Sequence, residues 1–196
     1  MPIVTLNSPA DASSGGDTTP ELDFTGTDAD GNEIAYQIQV DLANTFDSVK
    51  DVMDSYAFAN ADDYQDCSAT GKIQVGQSFT GDGNKVTKVT FSLSRNGTVS
   101  GNVVAKIYAH SGTFGSTGIP TGAVLATSDV FDISALDGTA TQFTFTFTGG
   151  EQYQTVNGTK YFVAIDATGS TSGGGDFIKI DEDLVTSSHA GNSAFF

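Results

Sequence analysis

The sequence predicts an all-β protein, a sandwich of antiparallel sheets, and three observations carry that expectation. First, from about residue 73 onward, apolar and polar residues alternate in short runs. Val89, Phe91 and Leu93 alternate with Lys88, Thr90 and Ser92; Val103, Ala105 and Ile107 share a parity; Phe143, Phe145 and Phe147 lie between threonines; Tyr161, Val163 and Ile165 follow. A strand turns successive side chains to opposite faces, so each run has one oily and one wet side. Second, each run ends in Gly, Asn, Thr or Ser, the residues that turn a chain. Third, helical periodicity is nearly absent; DLANTFDSVKDVM at 41–53 is the only stretch that could wind for a turn or two.

In chain order, residues 1–50 hold short strands at 3–6, 22–24 and 34–40, the last two separated by the turn DADGNE. A block with so few strands buries little apolar area alone, so it should lean on the main domain or on another chain. Residues 51–196 form the main domain. It starts with strands in VMDSYAFA (52–59) and IQVGQSF (73–79), and the alternating runs follow. Its connections are a turn-rich loop at 111–122, the turn ISALDGTAT and the glycine-rich run GSTSGGGD at 169–176. Nothing repeats at a fixed period, which disfavours a solenoid or propeller.

Composition narrows the partners. The chain has 196 residues, 38% of them hydrophobic, with 14 Phe to fill a core. Lys and Arg number 8 against 24 Asp and Glu, a net charge of −16. Such a surface repels phosphate backbones and anionic lipid, which argues against nucleic-acid and membrane-surface partners. Cys67 is the single cysteine, so no intrachain disulfide forms. The N-terminal stretch lacks the basic and apolar regions of a signal peptide, and no stretch reaches transmembrane length. This implies either cytoplasmic synthesis or a piece of a longer exported protein.

Several motifs carry a resemblance. GQSF at 76–79, the KIYAHSGTFG…PTG…LATSD core at 106–129 and NGTKY at 157–161 together resemble a jelly-roll module recurrent in phage-encoded and metagenomic surface proteins. The first block, PIVTLNSPAD…DTTPELDFTGTDADGNEIAYQIQVD, resembles the opening strands of bacterial Ig-like or fibronectin-III-like repeats, and that likeness stops near Asp47. The resemblance implies an antiparallel jelly-roll β-sandwich preceded by a short N-terminal Ig-like β segment. It also implies a non-catalytic attachment or carbohydrate-binding-like role. A virion component such as a capsid decoration or fibre protein, or another extracellular surface appendage, is the leading expectation. The alternative is a carbohydrate-binding module from a secreted multidomain protein. Residues 1–50 would then supply the protein contacts for homo-oligomer or surface assembly.

Candidate chemistry follows from residue type. Glycoside hydrolysis needs two carboxylates fixed across a cleft, yet Glu21, Glu33, Glu151 and Glu182 all sit in or beside turns. His110 and His189 have no nucleophile context around them. The chain therefore reads as a non-enzyme. Asp28 to Glu33 places oxygens around a glycine, as calcium loops do, but reads first as a hairpin turn. Asp62, Asp63 and Asp66 could meet Asp181 and Asp183 if the first and last sandwich strands are neighbours, and structural Ca²⁺ is the candidate cofactor there. Sugar recognition needs aromatic faces. There is no Trp, which leaves Tyr64, Tyr108, Phe114 and Tyr153, in or near loops, as candidate glycan contacts.

Overall fold

A computed structural model describes residues 3–8, 23–27, 52–55, 58–183 and 189–195. The chain divides into two compact units, Met1–Ser48 and Val49–Phe196. In the first, β1 (Ile3–Ser8) and β2 (Asp23–Thr27) pair antiparallel, Ile3 opposite Thr27 and Leu6 opposite Phe24. The strand expected at 34–40, the turn at 28–33 and the helical turn beginning at 41 lie outside the described residues.

The second unit contains, in chain order, β3 (Asp63–Cys67), β4 (Gln74–Thr80), β5 (Lys85–Val86), β6 (Lys88–Asn96), β7 (Asn102–Ser111) and β8 (Ile119–Thr127). These are followed by β9 (Phe131–Asp132), β10 (Thr141–Thr146), β11 (Tyr153–Gln154), β12 (Lys160–Asp166), β13 (Phe177–Glu182) and β14 (Ser193–Phe195). Every pairing among them is antiparallel. One main sheet has the order β10-β6-β13-β3, the other has the order β14-β4-β12-β7-β8 with β9 added to β7, and β5 and β11 form a separate two-stranded ribbon. The protein is thus an all-β sandwich, and its chain passes between the two sheets at most connections.

The alternation in the sequence becomes the core. Leu93, Ile107, Phe145, Phe147, Val163 and Ile165 are buried together with Val75, Val103, Ile178 and Ile180. Val89, Phe91 and Phe143 are half-buried and pack against this cluster. Phe131, carried by β9, lies 5.2 Å between ring centroids from both Phe143 and Phe145, and so ties one sheet to the other. Phe91 meets Phe145 edge-on at 5.8 Å.

Three local expectations are corrected. Residues 52–55 carry no strand, and Phe58–Asn60 is a 3-10 turn closed by the Ala61 N–H on the Phe58 carbonyl. Asp54 instead points its carboxylate at His189, 2.9 Å away. The loop expected at 111–122 is confined to 112–118, because β7 runs to Ser111 and β8 begins at Ile119. Pro120 is tolerated in β8 because that strand lies at a sheet edge, where a missing N–H breaks no ladder on the outer side. In β12, both faces are covered: Phe162 and Ala164 are buried as completely as the core residues beside them. The uninterrupted apolar run YFVAI is the mark of a strand buried on both sides.

Truncating Phe145 to Ala removes a ring that touches both sheets. We expect chemical denaturation to show a loss of about 3–5 kcal/mol. An unchanged midpoint would contradict this packing.

Candidate functional site

The two sheets present very different outer faces. Outside the β12 sheet, Phe162, Ala164 and Tyr108 form a small second cluster, with Ala194 of β14 against it. Segment 189–192 and the 112–118 loop are stitched onto this face by Asn192. Its side-chain amide donates to the Gly118 carbonyl at 2.8 Å, its Oδ1 accepts from the Gly115 N–H at 3.2 Å, and its backbone exchanges bonds with Ser78 of β4. Gly191 must be glycine here, since a Cβ would sit 2.2 Å from the Ser78 carbonyl oxygen.

Lower on the same face, Asp166 is only 4% exposed. It accepts from Lys106 Nζ at 2.6 Å, Gln74 Nε2 at 2.7 Å and the Thr168 N–H at 2.8 Å. Burial pushes its carboxyl up, but Lys106 and Thr168 outweigh that and hold it below the ordinary carboxylate value. This face is closed by its own polar network and straps.

Among the described residues, the outer face of the β10-β6-β13-β3 sheet is the more open, with Tyr64, Thr90, Gln142, Thr144 and Thr146 exposed on it. A depression of about 460 Å³ at its edge is lined by Phe58, Ala59, Ala61, Asp62, Asp63, Tyr64, Ala140 and Asp181. Register builds it. β3 pairs with β13 so that Tyr64 stands opposite Asp181 and Asp63 opposite Glu182, while the Asp62 N–H donates to the Glu182 carbonyl at 3.1 Å. The 3-10 turn at Phe58–Asn60 leads the chain into β3 and forms one wall. Ser92 of β6 donates to Asp181 Oδ2 at 2.5 Å, fixing that carboxylate on the sheet surface. Tyr64 is 41% exposed; Lys179 Nζ lies 4.4 Å from its ring centroid, and Phe177 stacks at 6.3 Å and 21°.

The candidate residues therefore separate. Tyr64, Asp62, Asp63 and Asp181 meet around the depression. Asp66 faces Lys179 across the strands and pairs with Lys72 at 2.8 Å, a bond that holds its carboxyl below the ordinary value. Asp183 follows β13 and does not line the depression. Among the described residues, no three His, Cys, Asp or Glu side chains converge as a metal-ligand group.

The other aromatic candidates lie elsewhere. Tyr108 is 7% exposed, donates its hydroxyl to Gln74 Oε1 at 2.8 Å and has no open ring face to offer a sugar. Tyr153 packs edge-on against Tyr161 at the core margin, 5.5 Å between centroids. Phe114 sits on the closing loop beside His110, with Lys160 Nζ 4.4 Å from its ring. Sequence reading passed over Phe58, Ala140, Phe177 and Lys179. The pairing of residues 63–67 with 177–182 brings the last two to Tyr64, and no local pattern announces that pairing.

Neither a protein-family model, nor a curated protein, nor a solved structure matches this chain.

Two solution tests follow. Among the described residues, His110 Nε2 is buried with no hydrogen-bond partner, and burial, then Lys160, lowers its pKa. The unfolded chain takes up that proton first, so the stability tied to His110 is complete above the ordinary histidine value of about 6.5 and declines as pH falls below it. Melting midpoints measured on either side of that range should drop on the acid side, and His110→Gln should flatten the drop. Asp62, Asp63 and Asp181 all line the depression, so a structural Ca²⁺ there predicts a higher melting midpoint in millimolar Ca²⁺ than in EDTA. An unchanged midpoint would remove the structural cation.

Proposed function

We propose that the protein is a non-catalytic surface module, a virion or extracellular structural and attachment protein of the capsid-decoration or fibre type. In this reading the sandwich, of jelly-roll kind, presents one open sheet face to its target. The observation that carries it is the contrast between the two outer faces. One is closed by Asn192, the 112–118 loop and the Asp166 network, whereas the other leaves Tyr64 and a broad depression open to solvent.

The titratable side chains fit this reading. Cys67 is buried and its thiol is pushed up to about 12, chiefly by burial and then by Asp166 and Asp66, which makes it a poor nucleophile. His189 is held by Asp54 and accepts the Gly191 N–H at 2.9 Å, so its ring anchors the C-terminal segment to the sandwich.

Residues 1–50 are assigned the assembly role. They contain a β1–β2 pair in a compact unit of its own, and a pair this small gains stability by adding to a further strand. Light scattering on the full chain and on a chain beginning at Val49 tests this. We expect the full chain to associate and the shortened one to remain folded and monomeric. A monomeric full chain whose shortened form unfolds would make the first unit a brace and remove the assembly role.

A further inference from the structure

We infer that the open face of the β10-β6-β13-β3 sheet is a binding surface for a neutral, hydroxyl-rich oligosaccharide lying across the strands from Tyr64 toward Thr144. This rests on the reading that the open face is the one presented. The register of β6 and β10 puts every phenylalanine of TQFTFT inward and leaves Gln142, Thr144 and Thr146 exposed outside. Thr144 stands opposite Thr90, their hydroxyls 2.9 Å apart, and Gln142 stands opposite Ser92. Ser92 in turn holds Asp181, which lies opposite Tyr64. Tyr64, Asp181, Thr90 and the Gln142 and Thr144 pair therefore set a band of aromatic, carboxylate, hydroxyl and amide groups on all four strands, roughly 14 Å across at the usual strand spacing, with the Ser92 hydroxyl buried beneath them.

That distance suits a short oligosaccharide, and the band's chemistry matches one. Threonine and glutamine both donate and accept, as sugar hydroxyls do, and the threonine methyls, with the part of the Tyr64 ring not taken by Lys179 and Phe177, cover the apolar C–H faces of a pyranose. Lys179, stacked on Tyr64, orients that ring against Phe177.

Charge selects the class of sugar. Asp62, Asp63 and Asp181 gather at the Tyr64 end, while Lys179 is engaged on the ring and Lys88 lies at the far end opposite Thr146. On a chain of net charge −16, that end accepts hydroxyl donors and repels uronate, sialate and sulfate groups. A basic protein would also be drawn to the carboxylates, but it would have no use for the threonine band, where the exposed groups are uncharged hydroxyls and an amide.

The test is affinity electrophoresis of the full chain in gels carrying a soluble neutral β-glucan, a neutral mannan or polygalacturonate, followed by calorimetry with oligomers of any polysaccharide that retards it. We expect at least one neutral polymer to retard the protein and polygalacturonate not to. Tyr64→Ala should weaken binding about tenfold, the loss of one stacking contact. Thr144→Val, which keeps shape and strand preference, should weaken it severalfold, and Tyr108→Phe on the closed face should leave it unchanged.

Retardation by polygalacturonate alone, or binding indifferent to both Tyr64→Ala and Thr144→Val, would overturn the inference. So would the absence of retardation by all three polymers. Melting midpoints of the variants separate lost binding from lost folding, and Thr144→Val remains informative if Tyr64→Ala is destabilised. Failure here leaves the attachment reading to stand or fall on the light-scattering result.

Discussion

The contact of Phe131 with Phe143 and Phe145 governs the rest of this molecule. Phe131 hangs from β9, which is hydrogen-bonded to β7 in one sheet, whereas Phe143 and Phe145 belong to β10 in the other. Two ring pairs, each 5.2 Å between centroids, are worth more than their buried area, because their edges and faces are complementary. They also fix which side of β10 is inside. A strand has a period of two, so a slip of one residue would turn the phenylalanines to water and the threonines into the core. Holding the rings in the core therefore holds Gln142, Thr144 and Thr146 on the outer surface.

The two outer faces diverge for a physical reason that lies in their central strands. β12 is apolar at consecutive positions, so Phe162 and Ala164 would be exposed if nothing covered them. Covering them brings the backbone of 189–192 against β4, which only glycine at 191 permits, and brings Asn192 to the carbonyl and N–H groups of the 112–118 loop. Groups that would otherwise be buried without partners are thereby satisfied. β6 and β10 alternate, so their outer side chains are polar: Thr90, Gln142, Thr144 and Thr146 are content in water, and the buried Ser92 is satisfied by Asp181. The open face is open because its strands are amphipathic, and the closed face is closed because its central strand is not.

Electrostatics follows the same division. On the closed face the buried carboxylate of Asp166 is matched by Lys106, with Gln74 and Thr168 completing its hydrogen bonds, so a charge survives in a confined place. On the open face the carboxylates are spread by strand pairing: Asp63 on the parity of Cys67, Asp181 opposite Tyr64, and Asp66 neutralised by Lys72. Adjacency in sequence works against convergence here, because neighbouring residues of a strand point to opposite faces. That geometry sets Asp66 apart from Asp63, while Asp62, just before β3, lines the depression with Asp63 and Asp181.

By itself the sequence determined the class of fold, the positions of β4, β6, β7, β10 and β12, and most of the core. Each of these is written in the local alternation of apolar and polar residues, and burial of the apolar set is the dominant favourable term in folding. It also marked Tyr64 and the acidic residues near it as surface groups. Strand partnership was decided only by the tertiary structure. The joining of 63–67 to 177–182, more than a hundred residues apart, assembles the depression and brings Lys179 and Phe177 to Tyr64. The fate of Tyr108 was decided there too: alternation places it outward on β7, and only the segments crossing that face turn an outward tyrosine into a buried one. Local pattern states which side of a strand is oily. It does not state what will lie against the other side, because that depends on chain segments with no sequence proximity to it.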